Sequence, residues 1–249
     1  MNTFTKIPAA SAIFIASSLA HAHPGPRVFL GTSGGQVTTF LGNNNENSTA
    51  FTPTRIFPAD LPNAFGSGTY TTDFPGFQVV EGTGVAPGTT FSFSIAGPLY
   101  YFSEYNPTTL TGVFLPTAQA FAGSPVPQMA VSETSSFTIT GSAAVPGFEF
   151  FGYNAPGDHG HLTFTLLGNG SLPAAGGPEG PDGVYALPLE VTGTSLSTSA
   201  TFYLLFGKNE AIGSTQFDTA VAVANAQFIP EPGVALLAVP LAFALLRRR

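Results

Sequence analysis

Hydrophobic and polar residues alternate along many short stretches of this chain, which is the pattern of β-strands with one buried face. The alternation is clearest in Phe91–Ile95, where apolar residues are separated by serines, and it recurs in Phe202–Phe206. The predicted strands are Arg27–Leu30, Gln36–Leu41, Thr54–Phe57, Phe77–Val80, Thr89–Ala96, Leu99–Ser103, Ser136–Thr140, Phe148–Tyr153, His161–Leu167, Val184–Val191 and Ala200–Phe206.

Glycine and proline separate these stretches and favour turns over helix interiors. Short strands divided by turns predict a mainly β body, with the architecture of an antiparallel β-sandwich or a jelly roll. Pro188 lies inside a predicted strand, and its missing N–H favours an edge strand or a bulge there. The Pro/Ala/Gly-rich stretch Pro116–Met129 is a candidate linker, at which the body would divide into two β units.

One segment near the end of the body departs from the two-residue period. Phe217, Ala220, Val221, Ala224 and Phe228 are spaced as on one face of a helix. The spacing predicts a short amphipathic helix over Gln216–Gln227. A final strand is the alternative, since Val221, Ala222 and Val223 also alternate.

The last residues of the chain form an apolar run with a basic end. Val234–Leu246 contains no charged side chain, and Arg247, Arg248 and Arg249 follow it. A full membrane span takes about 20 apolar residues, and snorkelling arginines together with extension toward Phe228 bring this run close to that length. The run therefore predicts a short transmembrane helix whose arginines stay on the cytoplasmic side.

Directly before this run stand Pro230, Glu231 and Pro232. Pro-Glu-Pro, a short apolar helix and a terminal basic cluster resemble the PEP-CTERM sorting signal of exported bacterial proteins. The resemblance covers Pro230–Arg249 alone. It implies transient anchoring in the inner membrane, processing near Pro-Glu-Pro by an exosortase-type enzyme, and a setting in which exopolysaccharide is made.

The beginning of the chain agrees with export. Lys6 precedes a mostly apolar stretch, Ile7–Leu19, and Ala20 and Ala22 then form an Ala-x-Ala cleavage site around His21. This is the pattern of a secretory signal peptide cleaved after Ala22. The predicted organisation is a signal peptide over 1–22, a β body over 23–229 and a sorting signal over 230–249.

Composition narrows the function of the body. Between the two signals stand three basic residues (Arg27, Arg55 and Lys208) against thirteen acidic ones, which gives a net charge of −10. Such a body cannot neutralise many phosphates, so nucleic acid is excluded as a predicted partner. The chain has no cysteine, which excludes disulfides, thiol chemistry and cysteine-based metal centres.

Candidate chemistry is concentrated in Asp158-His159-Gly160-His161. On a strand, His159 and His161 share a face while Asp158 points to the other. Two imidazoles at this spacing are a half-site for zinc or copper, and His23, the first residue after signal cleavage, could add its amine and imidazole. The alternative is a polar turn whose histidines bond the loop, with no cofactor.

Catalytic patterns are otherwise missing from the sequence: there is no Gly-x-Ser-x-Gly elbow and no phosphate-cradling glycine loop. A sugar-binding module is a further alternative, for which Tyr100, Tyr101, Tyr105 and Tyr153 supply aromatic rings, although a packed aromatic core is the commoner explanation of such rings. The sequence therefore predicts a non-enzymatic, exported protein of the cell envelope or extracellular matrix, with secretion machinery, sorting enzyme and exopolysaccharide as its partners.

Overall fold

The computed structural model describes residues 27–42, 50–63, 69–133, 136–139, 145–155, 157–168 and 180–229. These residues form a mainly β body that ends in one longer helix, as the alternating pattern predicts. The strands are β1 (Arg27–Ser33), β2 (Gln36–Gly42), β3 (Phe51–Pro53), β4 (Ile56–Asp60), β5 (Thr71–Thr72), β6 (Gly76–Val79), β7 (Thr89–Ile95), β8 (Tyr100–Asn106), β9 (Thr111–Pro116), β10 (Gln128–Glu133), β11 (Ser136–Ile139), β12 (Val145–Tyr153), β13 (His159–Gly160), β14 (Thr163–Leu167), β15 (Gly183–Gly193) and β16 (Phe202–Lys208), and the helices are α1 (Thr117–Ala120) and α2 (Thr215–Phe228).

The largest sheet has seven strands and is built around β15. Its main order is β12-β7-β15-β16-β4, and β8 pairs with β15 as well as with β9. The eleven residues of β15 are long enough to take β8 beside their first part and β7 beside their last part. Side chains on both faces of β15 are buried, because this strand lies at the centre of the molecule.

Pro188 shows why this strand can carry a proline away from an edge. The register of β15 with β16 runs unbroken through Pro188, which lies opposite Tyr203. The Pro188 carbonyl accepts the N–H of Ala96 at 3.0 Å, so the proline nitrogen also faces the β7/β8 side. At this point the neighbour of β15 changes from β8 to β7, so no N–H from residue 188 is needed for a hydrogen bond to either strand. The predicted edge or bulge is therefore wrong.

Two smaller sheets cover one face of the large one. Their orders are β13-β6-β1-β2-β3 and β11-β10-β14-β5. Two pairs, β1 with β6 and β16 with β4, are parallel, so the prediction of a purely antiparallel body is wrong for them. Parallel neighbours need long connections, and here strands of the other sheets form part of those connections.

All three sheets contribute to one inner core, in a β-sandwich-like arrangement. Its members include Val28, Val37, Phe57, Phe77, Phe91, Phe93, Met129, Val131, Phe164, Leu187, Leu189, Phe202 and Phe206. These residues come from both sides of Pro116–Met129, and strands from both sides pair within the large sheet. That segment is not a division between independent cores: it holds the single turn α1, and β10 already begins at Gln128.

The helix α2 covers the opposite face of the large sheet and confirms the prediction for Gln216–Gln227. Ser214 caps it by accepting the Phe217 N–H at 3.2 Å, and Asp218 lies in its first turn, where an acid favours the helix dipole. Beneath it lies an outer core formed by Ile56, Phe102, Phe114, Val184, Ala186, Leu205, Phe217, Ala220 and Ala224, with Tyr100, Tyr203 and Phe228 packed against it.

Candidate functional site

The predicted histidine pair lies at one edge of the five-stranded sheet. The chain leaves β12 at Tyr153, turns, and enters β13, in which His159 pairs with Gln78 of β6. Gly160 follows and is buried against the ring of Phe151: a Cβ there would lie 2.9 Å from the Phe151 Cδ1. This close approach explains why glycine separates the two histidines.

Asp158 serves the turn that leads into β13. Its Oδ2 accepts the N–H groups of Asn154 at 2.7 Å and Ala155 at 2.9 Å. These backbone hydrogen bonds hold the pKa of the Asp158 carboxyl below its usual range, because they favour the charged form. The same oxygen is thus committed to the loop, as expected of a residue that stabilises a turn.

The rings of His159 and His161 lie together, as the strand spacing predicts. Their centroids are 5.2 Å apart in an edge-to-face arrangement. His159 Nδ1 lies 3.2 Å from the carbonyl oxygen of Gly157, and His161 Nδ1 lies 3.0 Å from that of Asp73. Because a carbonyl can only accept, each neutral ring carries its proton on Nδ1 and its lone pair on Nε2.

Gly76 positions the second of these rings. The His161 imidazole packs directly on the Gly76 backbone, where an added Cβ would lie 2.8 Å from His161 Cε1. Phe74 flanks the same ring edge-to-face, with centroids 6.3 Å apart. His161 is therefore held by β6 and the residues just before it, whereas His159 is exposed.

The histidine pair remains a two-ligand arrangement within the part of the chain that the structure describes. No cluster of three or more His, Cys, Asp or Glu residues suited to a metal ion occurs there. His23, the third predicted ligand, lies outside the described residues. The pair fits one half of a zinc or copper site, since imidazole nitrogens suit both metals and each ring bonds a carbonyl through its other nitrogen.

The processing residues also lie outside the described residues: Ala20, Ala22, Pro230, Glu231, Pro232, Arg247, Arg248 and Arg249. Among the helices of the described ranges, none has the length and apolar character needed to cross a membrane.

The tyrosines considered for sugar binding are packed rather than displayed as a platform. Tyr101 stacks at an angle on Tyr185, with centroids 5.2 Å apart, whereas Tyr100 contacts Phe228 at 5.0 Å on the other face of the sheet. Tyr153 is buried in the inner core. Burial raises the pKa of Tyr100 and of Tyr101, with Asp182 and Glu210 adding to the effect at Tyr101.

A cleft that sequence reasoning missed lies on the other side of the body, beside the end of α2. It has a volume of about 370 Å³ and is lined by Gln36, Val37, Thr38, Thr39, Pro53, Thr54, Arg55, Ser199, Ala200, Asn225 and Ile229. Four separate parts of the sequence meet there, so no local motif marks it. The available signal was Arg55 itself, a rare cation in an acidic body.

Comparison of the chain with protein-family models, with curated proteins and with solved structures finds no match.

Proposed function

We propose that this chain is an exported, non-enzymatic protein of the bacterial cell envelope or extracellular matrix, sorted by an exosortase-type system. The secretory signal over 1–22 would direct export, and Pro230–Arg249 would hold the chain in the inner membrane until it is trimmed. The β body would then remain as a structural or binding component.

The position of Phe228 is the observation that carries this proposal. Its ring packs on Tyr203 and Phe114 at the outer core, and Ile229 closes the helix by donating its N–H to the Asn225 carbonyl at 3.2 Å. The described part of the body thus ends in a helix that is anchored on the large sheet directly before Pro230. An anchored helix end directly before Pro-Glu-Pro is what we expect of a body that persists after the tail has been removed.

Intact-mass measurement of the product tests this proposal. The full-length chain is expressed in a bacterium that has an exosortase and in a matched strain that lacks it. We expect a product beginning at His23 in both strains, and loss of the segment after Pro-Glu-Pro in the first strain alone. The variant Glu231→Ala should keep its tail while still losing Met1–Ala22.

Two results would overturn the proposal, and they are distinguishable. An uncleaved chain beginning at Met1 in the cytosol of both strains would contradict export. Identical tail masses in the two strains, with normal removal of Met1–Ala22, would contradict sorting by an exosortase and leave export intact.

A second candidate function is binding of zinc or copper by a surface protein. The observation that favours it is the shared geometry of His159 and His161, in which both Nδ1 atoms lie within hydrogen-bond distance of backbone carbonyls and the two rings are 5.2 Å apart. This is the arrangement in which metal-binding imidazoles are usually held. Asp158 would contribute through its charge, since its Oδ2 is engaged by the loop.

A further inference from the structure

The cleft beside α2 contains a cation in an otherwise acidic body. Arg55 donates through Nε to the Thr201 carbonyl at 2.6 Å, which fixes the plane of the guanidinium. This is the only hydrogen bond that the guanidinium makes to the described residues, so its two terminal nitrogens remain available among them. Among the described residues, no acidic side chain lines the cleft.

Glu190 is the acid that bonds the same threonine as Arg55. Glu190 accepts the Thr201 hydroxyl through Oε1 at 2.8 Å and does not line the cleft. Arg55 therefore presents a planar fork of donors with no carboxylate of the described body placed on it. Such a fork matches the two oxygens of a carboxylate in a bidentate pair.

Neutral polar groups surround this fork with both donors and acceptors. Ser199 is buried, and its Oγ accepts the Val191 N–H at 3.0 Å, while no described residue accepts its own proton. Asn225 and Gln36 each use their side-chain nitrogen on a backbone carbonyl, at 2.9 Å and 2.8 Å. Their side-chain oxygens are left as acceptors, which is the complement of a molecule carrying hydroxyl groups.

From this chemistry we propose that the Arg55 cleft binds a small carboxylate that also carries hydroxyl groups, such as a sugar acid. The carboxylate lies on the guanidinium of Arg55, and the hydroxyls lie among Ser199, Asn225 and Gln36. A volume of about 370 Å³ is within the range of small-molecule sites. This site requires only described residues and stands independently of export and sorting.

Calorimetric titration of the full-length chain in mild detergent tests the site, with glucuronate as the probe and glucose as its uncharged match. We expect glucuronate to bind and glucose to bind at least about tenfold more weakly, because a charged hydrogen bond is lost. Arg55→Gln should lower the affinity for glucuronate by about tenfold or more, and Arg55→Lys should lower it by less.

A matched pair of variants on α2 keeps the test independent of Arg55 and its role in folding. Asn225→Asp places a negative charge in the lining of the cleft. It should lower the affinity for glucuronate by about tenfold, since like charges at close range repel. Ala226→Asp adds the same charge at the next position, which is exposed and does not line the cleft. It should leave the affinity within about threefold, because solvent screens an exposed charge. Melting temperatures of all variants report whether the fold is kept.

Three outcomes would overturn the inference. Equal affinity for glucuronate and glucose would contradict a carboxylate site, and so would equal effects of Asn225→Asp and Ala226→Asp in folded proteins. Glu231 follows the cleft residue Ile229 by two positions and is the other source of a carboxylate. If Glu231→Gln raises glucuronate affinity more than about threefold, the chain's own tail is the occupant and a free ligand is not.

Discussion

The rings of Tyr203 and Phe228 stack face to face, with their centroids 4.2 Å apart and their planes inclined by 6°. Tyr203 belongs to β16, near the centre of the large sheet, and Phe228 is the last residue of α2. The contact fixes the end of the helix on the sheet just before the predicted sorting motif. Gln227 strengthens this attachment, because its side-chain amide bonds both the N–H and the carbonyl of Phe114, at 3.0 Å and 2.8 Å.

Phe228→Ala should lower the free energy of unfolding by about 2–3 kcal/mol. The loss combines apolar burial and a cavity, and it falls below that of a fully buried phenylalanine because Phe228 is only half-buried. Urea denaturation measures the change. Ala226→Gln at an exposed position of the same helix is the control, since it keeps a good helix former there. A loss below about 0.5 kcal/mol in Phe228→Ala would show that the stack does not hold the helix.

The buried ammonium of Lys208 makes the body sensitive to acid. It lies 2.5 Å from Asp182 Oδ1 and 4.1 Å from the ring centroid of Tyr70. The hydrogen bond from Lys208 lowers the pKa of Asp182, with Asn209 adding to the effect. Because the pKa of Asp182 is lower in the folded protein, the ionised carboxylate stabilises the fold at pH values above about 4, the pKa of aspartate in the unfolded chain. This stabilisation is lost as the pH falls through the pKa that Asp182 has in the folded protein.

Asp182→Asn should therefore remove part of the acid dependence of stability between about pH 5 and pH 2. At neutral pH it should cost about 1–2 kcal/mol, since Lys208 loses a charged partner while water reaches the exposed Asp182 position. Denaturation at a series of pH values checks both effects. Parallel pH profiles for the two proteins would contradict this role of the pair.

Tyr185 should govern stability at the alkaline end. It is fully buried, and its hydroxyl donates to the Pro181 carbonyl at 2.6 Å. Burial raises the pKa of Tyr185 far above its usual value, with Tyr101 and Asp182 adding to the effect. The contribution of neutral Tyr185 to stability is fully present below pH 10, about the pKa of tyrosine in the unfolded chain. Above that pH the contribution declines by about 1.4 kcal/mol per pH unit.

Tyr185→Phe should cost about 1 kcal/mol at neutral pH, through the lost hydrogen bond, and should lose stability less steeply above about pH 10. Unfolding free energies across the alkaline range give the two slopes. The tyrosinate absorbance of the folded protein provides an independent check. It should be unchanged by the substitution up to the pH at which the protein unfolds, and a smaller absorbance change in the variant would contradict burial.

The histidine pair predicts a metal affinity that depends on both rings. Zinc and copper should each bind the folded chain, and His159→Ala or His161→Ala should weaken binding by about tenfold or more, since each removes one ligand. Calorimetry with each metal measures this, and Asp158→Asn, which keeps both rings and removes only a nearby charge, should weaken binding less than either histidine variant.

The double variant His159→Ala, His161→Ala should bind metal more weakly than the unmodified chain. Equal affinities would show that the metal binds to another part of the chain. Gly76→Ala provides a second test. Its added Cβ would displace the His161 ring, so a folded variant should bind metal more weakly with both ligands still present.

The sequence by itself determined the mainly β body and the closing helix, because a period of two or of 3.6 residues records which side of an element is buried. Phe91–Ile95 and Gln216–Gln227 carry those periods, and both form the predicted element. It also predicted that His159 and His161 share a face, and their rings do lie 5.2 Å apart, although β13 ends at Gly160. The signals at the two ends of the chain remain predictions, for they lie outside the described residues.

The tertiary structure decided what depends on distant parts of the chain meeting. Pro188 is accepted within a central strand because β15 exchanges β8 for β7 at that point, and no local pattern records such an exchange. The Arg55 cleft likewise joins residues from β2, the β3–β4 segment, the residues just before β16 and the end of α2. Local periodicity reports burial of one element at a time, whereas sheet order and clefts arise from long-range pairing between elements that the pattern describes separately.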